Sequence, residues 1–114
     1  MIIVRREDLA VSVADAVLAV PGVAALHPGF GVEVATLFSG GKVVGVRLSG
    51  ETVQIYLTAD RVPLRPVAEE AAKAAGRVLA AADDPRPVEI VVADVTTDAV
   101  IRRTTARGTI GAHG

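Results

Sequence analysis

The chain carries two histidines, His27 and His113, three serines, Ser12, Ser39 and Ser49, and no cysteine. Those residue types set the chemistry that could be attempted. A metal centre gathers imidazoles, thiolates or carboxylates at ligand spacing, and neither histidine has a second histidine or a carboxylate cluster near it in sequence. A hydrolytic triad is defined by geometry, but no serine lies in the glycine-flanked pattern of a nucleophile elbow. His27, beside Pro28, reads as a loop residue and His113 as tail. The run Pro28-Gly29-Phe30-Gly31 could mimic a phosphate-cradling loop, yet it follows no long parallel strand and opens no helix. The dinucleotide fingerprint and the P-loop signature are both missing. Asp83-Asp84 ahead of Pro85 reads as a solvated turn, and Asp94 and Asp98 around a Thr-Thr pair as residues that bend the chain. The expectation is a non-enzymatic protein with no catalytic, cofactor-binding or metal-binding residues.

The elements that would have to position any site follow from hydrophobic spacing. Leu9, Val13, Ala16/Val17 and Val20 recur at three- and four-residue steps, so they predict a helix over about residues 8–20. Asp8 is its expected N-cap, and Pro21-Gly22 its stop. Val23–Leu26 is a candidate strand stub. GVEVATLF (31–38) and VVGVRL (43–48) flank Gly40-Gly41, a tight-hairpin signal for a primed turn. TVQIYLTA (52–59) alternates cleanly, with Val53, Ile55, Leu57 and Ala59 on one face and Thr52, Gln54, Tyr56 and Thr58 on the other.

Pro63 or Pro66 can open a second helix. Its inner stripe is Leu64, Ala68, Ala71, Ala75, Val78/Leu79 and Ala82, and its outer face Arg65, Glu69, Glu70, Lys73 and Arg77. Glu69 and Lys73 have the spacing of a helical ion pair. Asp83–Pro87 ends the helix, and VEIVVADV (88–95) is the last strand, whose continuous apolar run predicts an interior position. The order is α-β-β-β-α-β: an α+β single small domain, with two helices packed on one face of a three- to four-stranded mixed, mostly antiparallel sheet. The domain is expected over residues 1–95 and a partly disordered C-terminal tail over 96–114.

Composition narrows the classes further. At 114 residues, 51% hydrophobic but only 3% aromatic, the chain can build a core of small aliphatic side chains and offers few rings for stacking bases or sugars. Twelve basic and thirteen acidic residues give a net charge of −1, without the cationic surplus that phosphate neutralisation demands. The one basic cluster, Arg102, Arg103 and Arg107, reads as a solvated terminus. The stretch from Leu9 to Leu26 is about long enough to span a bilayer, but Asp15 would sit near its centre and Pro21 would break its last third. A secretory leader fits poorly too, since Glu7 and Asp8 cancel Arg5 and Arg6.

Four segments, VADAVLAVPGVAAL (13–26), GVRLSGETVQIYLTA (45–59), PLRPVAEEAAKAAGRVL (63–79) and VEIVVADV (88–95), occur in an order that resembles the alkaline shock protein family of bacterial envelope stress response proteins. The resemblance covers about residues 6–95. It departs at Asp60-Arg61-Val62, where the family carries an aromatic-glycine element, and at ADDPRP (82–87), where it carries a threonine-glycine turn. The loop HPGFGVEVATLF (27–38) looks like that of short actinobacterial-type members. The resemblance implies a non-enzymatic cytoplasmic protein at the inner face of the cell membrane, held there by a separate anchor. It implies a homo-oligomer, a membrane-anchored partner protein, or both, and no small-molecule substrate. A sheet edge or the outer face of the second helix (Arg65, Glu69, Glu70, Lys73, Arg77) is the expected contact surface. The alternative is a small α/β nucleic-acid-binding module; it would need a GxxG loop between helices or aromatics on an open sheet face, where Tyr56 stands alone.

Overall fold

In a computed structural model that describes residues 5–96, the chain forms α1 (Arg6–Leu18), β1 (Val23–Leu26), β2 (Ala35–Phe38), β3 (Gly41–Val44), β4 (Val46–Leu48), β5 (Val53–Ala59), α2 (Leu64–Ala81) and β6 (Val88–Val95). The expected tail beyond Thr96 lies outside the described residues. The architecture is the expected α+β domain, with five strands rather than three between the helices. The candidate stub 23–26 is a true strand, and the run 43–48 is divided in two.

The strand β5 organises the main four-stranded sheet. On one edge it pairs parallel with β6 along its whole length, from Val53↔Val88 to Ala59↔Val95. On its other edge two short antiparallel strands lie end to end, β4 against Val53–Ile55 and β1 against Leu57–Ala59. They meet at Tyr56, whose N–H donates to Gly45 O at 2.9 Å and whose carbonyl accepts from His27 N at 2.8 Å. The apolar run of β6 therefore marks an edge strand, not the expected interior one: among the described residues it pairs with β5 alone. Its hydrophobicity reflects the helix and sheet that half-bury its side chains, since pairing of the backbone on both edges is a separate matter.

Gly45 explains the broken strand. Its φ is +88°, a region side chains avoid, and a Cβ there would lie 2.7 Å from Leu26 Cβ and 3.1 Å from Tyr56 O. The kink lets β3 leave the main sheet and pair with β2 in a separate two-stranded hairpin, Phe38↔Gly41 closing it. Only the second of the two loop residues, Gly40, has positive φ (+92°), so the turn is not the primed type that Gly40-Gly41 suggests. Thr36, the one buried polar residue among those described, donates from Oγ1 to Val46 O at 2.6 Å and ties the hairpin to β4.

Both helices cover the same face of the sheet. The core joins Leu9, Val13 and Val17 of α1, Val67, Ala71, Ala75 and Leu79 of α2, and Val53, Ile55, Leu57 and Ala59 of β5. The alternation read in β5 holds residue for residue. In α2, Val67 and Ala74 join the buried stripe, whereas Leu64 and Ala68 are half-buried. The first helix starts two residues ahead of the expected Asp8: Arg5 is its N-cap, without a side-chain cap, and Glu7 and Asp8 fall in the first turn, where acidic groups favour the helix dipole.

Candidate functional site

Of the residues that could do chemistry, His27 and Ser49 are taken up by local structure. His27, at the end of β1, accepts a hydrogen bond at Nδ1 from Gly29 N (2.8 Å), and its ring lies 5.0 Å from that of Phe30. Ser49 Oγ accepts from Thr52 N at 3.0 Å and bonds Thr52 O at 2.9 Å, closing the β4–β5 turn. Ser39 lies in the hairpin turn, and Ser12 is exposed on α1. Among the described residues no group of three or more His, Cys, Asp or Glu side chains could hold a metal ion. Asp98, His113 and the arginine cluster lie outside the described residues.

Asp84 is the carboxylate with a built partner. Arg86 grips it through Nη2 to Oδ2 at 2.6 Å and Nε to Oδ1 at 3.0 Å, while the Arg86 N–H donates to Oδ1 at 3.1 Å. The side-chain hydrogen bond from Arg86 holds the Asp84 carboxyl below its ordinary range, against a smaller opposing push from burial. The same contact raises the Arg86 guanidinium. Arg86 Nη1 also donates to Ser49 O at 2.6 Å, pinning the α2–β6 connection to the β4–β5 turn. What reads as a solvated acidic turn is a structural clamp in which Asp84, not Asp83, takes part.

Three surfaces remain for interaction. The first is the outer face of α2, where Arg65, Glu69, Glu70, Lys73 and Arg77 are all exposed. Lys73 pairs with Glu70 at 3.5 Å rather than with Glu69, and both side chains are well exposed. A face of mixed exposed charge resembles the rim of an interface more than its centre. The second is the edge of β6 that no described residue pairs, with apolar Val88, Ile90, Val91, Val92 and Val95 along it and charged side chains at Glu89 and Asp94. At Ala93 the strand bulges: Leu57 pairs with Val92 and Thr58 with Asp94, so Ala93 opposes no residue of β5.

The third surface is built by the loop between β1 and β2 together with the β2–β3 hairpin. Val34 is buried, its N–H donating to Pro28 O and its carbonyl accepting from Gly45 N, both at 2.8 Å. That closure seats the loop across the open sheet face beside Tyr56. Gly29 (φ +82°) fits there because a Cβ would come within 2.8 Å of Val34 Cγ2 and reach the Tyr56 ring at 3.5 Å. The lone ring of the open sheet face thus has the Gly29 backbone beside it. Phe30 and Val32 project instead, 73% and 81% exposed, with Leu37 of β2 64% exposed. Sequence reasoning sees a glycine-flanked loop here but not its exposed apolar tip. The signal was an aromatic set between two glycines with no apolar periodicity to bury it.

A shallow crevice of about 340 Å³ runs between the helices, lined by Leu9, Ser12, Val78, Ala81 and Ala82, without a charged group. No described helix is long and apolar enough to cross a membrane. Comparison of the chain with protein-family models, curated proteins and solved structures yields no match.

Proposed function

We propose that this chain is a non-enzymatic interaction protein of the cell-envelope stress type, working by self-association, or by joining a membrane-anchored partner, through the free edge of β6. The order of sequence segments that resembles the alkaline shock protein family supports the class. The observation that carries the contact is β6: eight residues, five of them Val or Ile, paired on one edge only among the described residues. Such an edge presents a row of backbone donors and acceptors that a second strand can complete. The α2 face bearing Arg65, Glu69, Glu70, Lys73 and Arg77 would then form a polar rim.

The test is the mass of the full chain in solution, with Val91→Lys as the blocking variant. The substitution keeps every backbone group and adds an edge charge of the kind that discourages strand pairing. The expected outcome is a concentration-dependent rise above the monomer mass that the variant abolishes while its thermal melting stays cooperative. A monomer at all concentrations would refute self-association by this edge.

A further inference from the structure

The loop–hairpin surface has a character that the β6 edge lacks. Phe30, Val32 and Leu37 are the three most exposed large hydrophobic residues among those described. All three lie in the loop 27–34 or the adjoining β2 strand. Exposed apolar groups concentrated at one tip mark a binding surface more often than scattered ones do.

The charges around this tip are mainly positive. Lys42, which opposes Leu37 across the hairpin, pairs with Glu33 at 2.8 Å. Arg47 Nη2 donates to Glu33 O at 3.2 Å, and Arg6 Nη1 to Leu37 O at 2.8 Å. Both guanidiniums thus bind backbone carbonyls here, and among the described residues neither forms an ion pair with a carboxylate. Glu33 is the one acidic side chain within the loop and hairpin, and Lys42 neutralises it; Glu7, next to Arg6 on α1, pairs with Arg5 at 3.6 Å.

We infer that the tip formed by Phe30, Val32 and Leu37 is a docking surface for an anionic lipid bilayer, with Arg6 and Arg47 facing the headgroups. An apolar tip a few ångströms deep and cations at its base suit the boundary between acyl chains and anionic headgroups, where both contributions add. A protein interface would supply acidic side chains for the same cations only if its partner carried them; a bilayer rich in phosphatidylglycerol supplies anionic phosphates everywhere along its plane. The inference is independent of the β6 edge, because a monomer presents the same tip.

The experiment is cosedimentation of the full chain with vesicles of phosphatidylcholine alone and of phosphatidylcholine mixed with phosphatidylglycerol, at low and at high salt. The wild type is expected to sediment with the anionic vesicles only, and less at high salt. Phe30→Ser combined with Val32→Ser should weaken that binding about tenfold or more, since insertion scales with buried apolar area. Both side chains are exposed, so the thermal midpoint should not move, and Arg47→Gln gives a second, milder loss that leaves the loop's apolar tip intact. The inference is overturned if the wild type binds neither vesicle, or if the serine variant binds as well as the wild type. It is equally overturned if the serine substitutions change the solution mass instead, which would make the tip a contact between copies of the chain.

Discussion

The neighbouring strands β5 and β6 run parallel with nearly matched registers, yet they behave as opposites. In β5 every second side chain, Val53, Ile55, Leu57 and Ala59, is completely buried beneath the helices, and both edges of the backbone are paired. In β6 no side chain is fully buried, and one edge is open among the described residues. Similar apolar content thus serves two ends: β5 holds the domain together, and β6 leaves hydrogen-bonding capacity at its margin. Stability and interaction are therefore separable by substitution, even between residues that sit side by side.

The largest effect should come from the centre. Leu57→Ala removes a fully buried side chain and is expected to cost about 3 kcal/mol of unfolding free energy. Its register partner Val92 is only half-buried, so Val92→Ala should cost about 1 kcal/mol. Denaturant titration of the two variants measures the contrast. Equal losses would mean that β6 is as much a core strand as β5.

A smaller loss, about 2 kcal/mol, is expected for Arg86→Ala, which leaves the part-buried Asp84 without its charged partner and frees the β4–β5 turn. The sign with pH follows from the lowered Asp84 pKa. Its stabilisation is complete above the ordinary carboxylate value near 3.8 and is lost as pH falls through the lower folded-state value. The gap between wild type and variant should accordingly be constant at neutral pH and narrow only in strong acid. A gap that instead closed between pH 5 and 7 would exclude the Asp84 clamp as its source.

Thr36→Val comes next, at about 1 kcal/mol. The substitution keeps the volume but takes away the hydroxyl that donates to Val46 O inside the protein. Val91→Lys, at a half-buried position of the edge strand, should cost no more than the same ~1 kcal/mol, while having the greatest effect on solution mass. That inversion between stability and assembly is what the two-strand comparison requires.

The sequence announces β5 plainly, because alternation directly reports one buried face and one open face. It also yields both helices, whose three- and four-residue spacing names most of the core: Leu9, Val13 and Val17 on one, Ala71, Ala75 and Leu79 on the other. The edge position of β6 was not legible, since an apolar run tells what covers a strand's faces and not how many neighbours pair its backbone. Nor was the break at Gly45, a contact-driven kink against Leu26 and Tyr56 that lie far off in sequence. The Asp84–Arg86 pair is local, two residues apart, but its tie to Ser49 O was hidden for the same reason: those residues meet only after α2 has packed. The exposed tip at Phe30 and Val32 could be suspected from its glycines, but its cationic surroundings come from α1, β3 and β4.

The claim that β6 is a contact edge is tested most directly by analytical ultracentrifugation of the full chain across a concentration series, beside Val91→Lys. The wild type is expected to depart from the 11.7 kDa monomer as concentration rises, whereas the variant stays at 11.7 kDa with a cooperative melting transition. A wild type that remains at 11.7 kDa throughout, or a variant that assembles equally well, would contradict it.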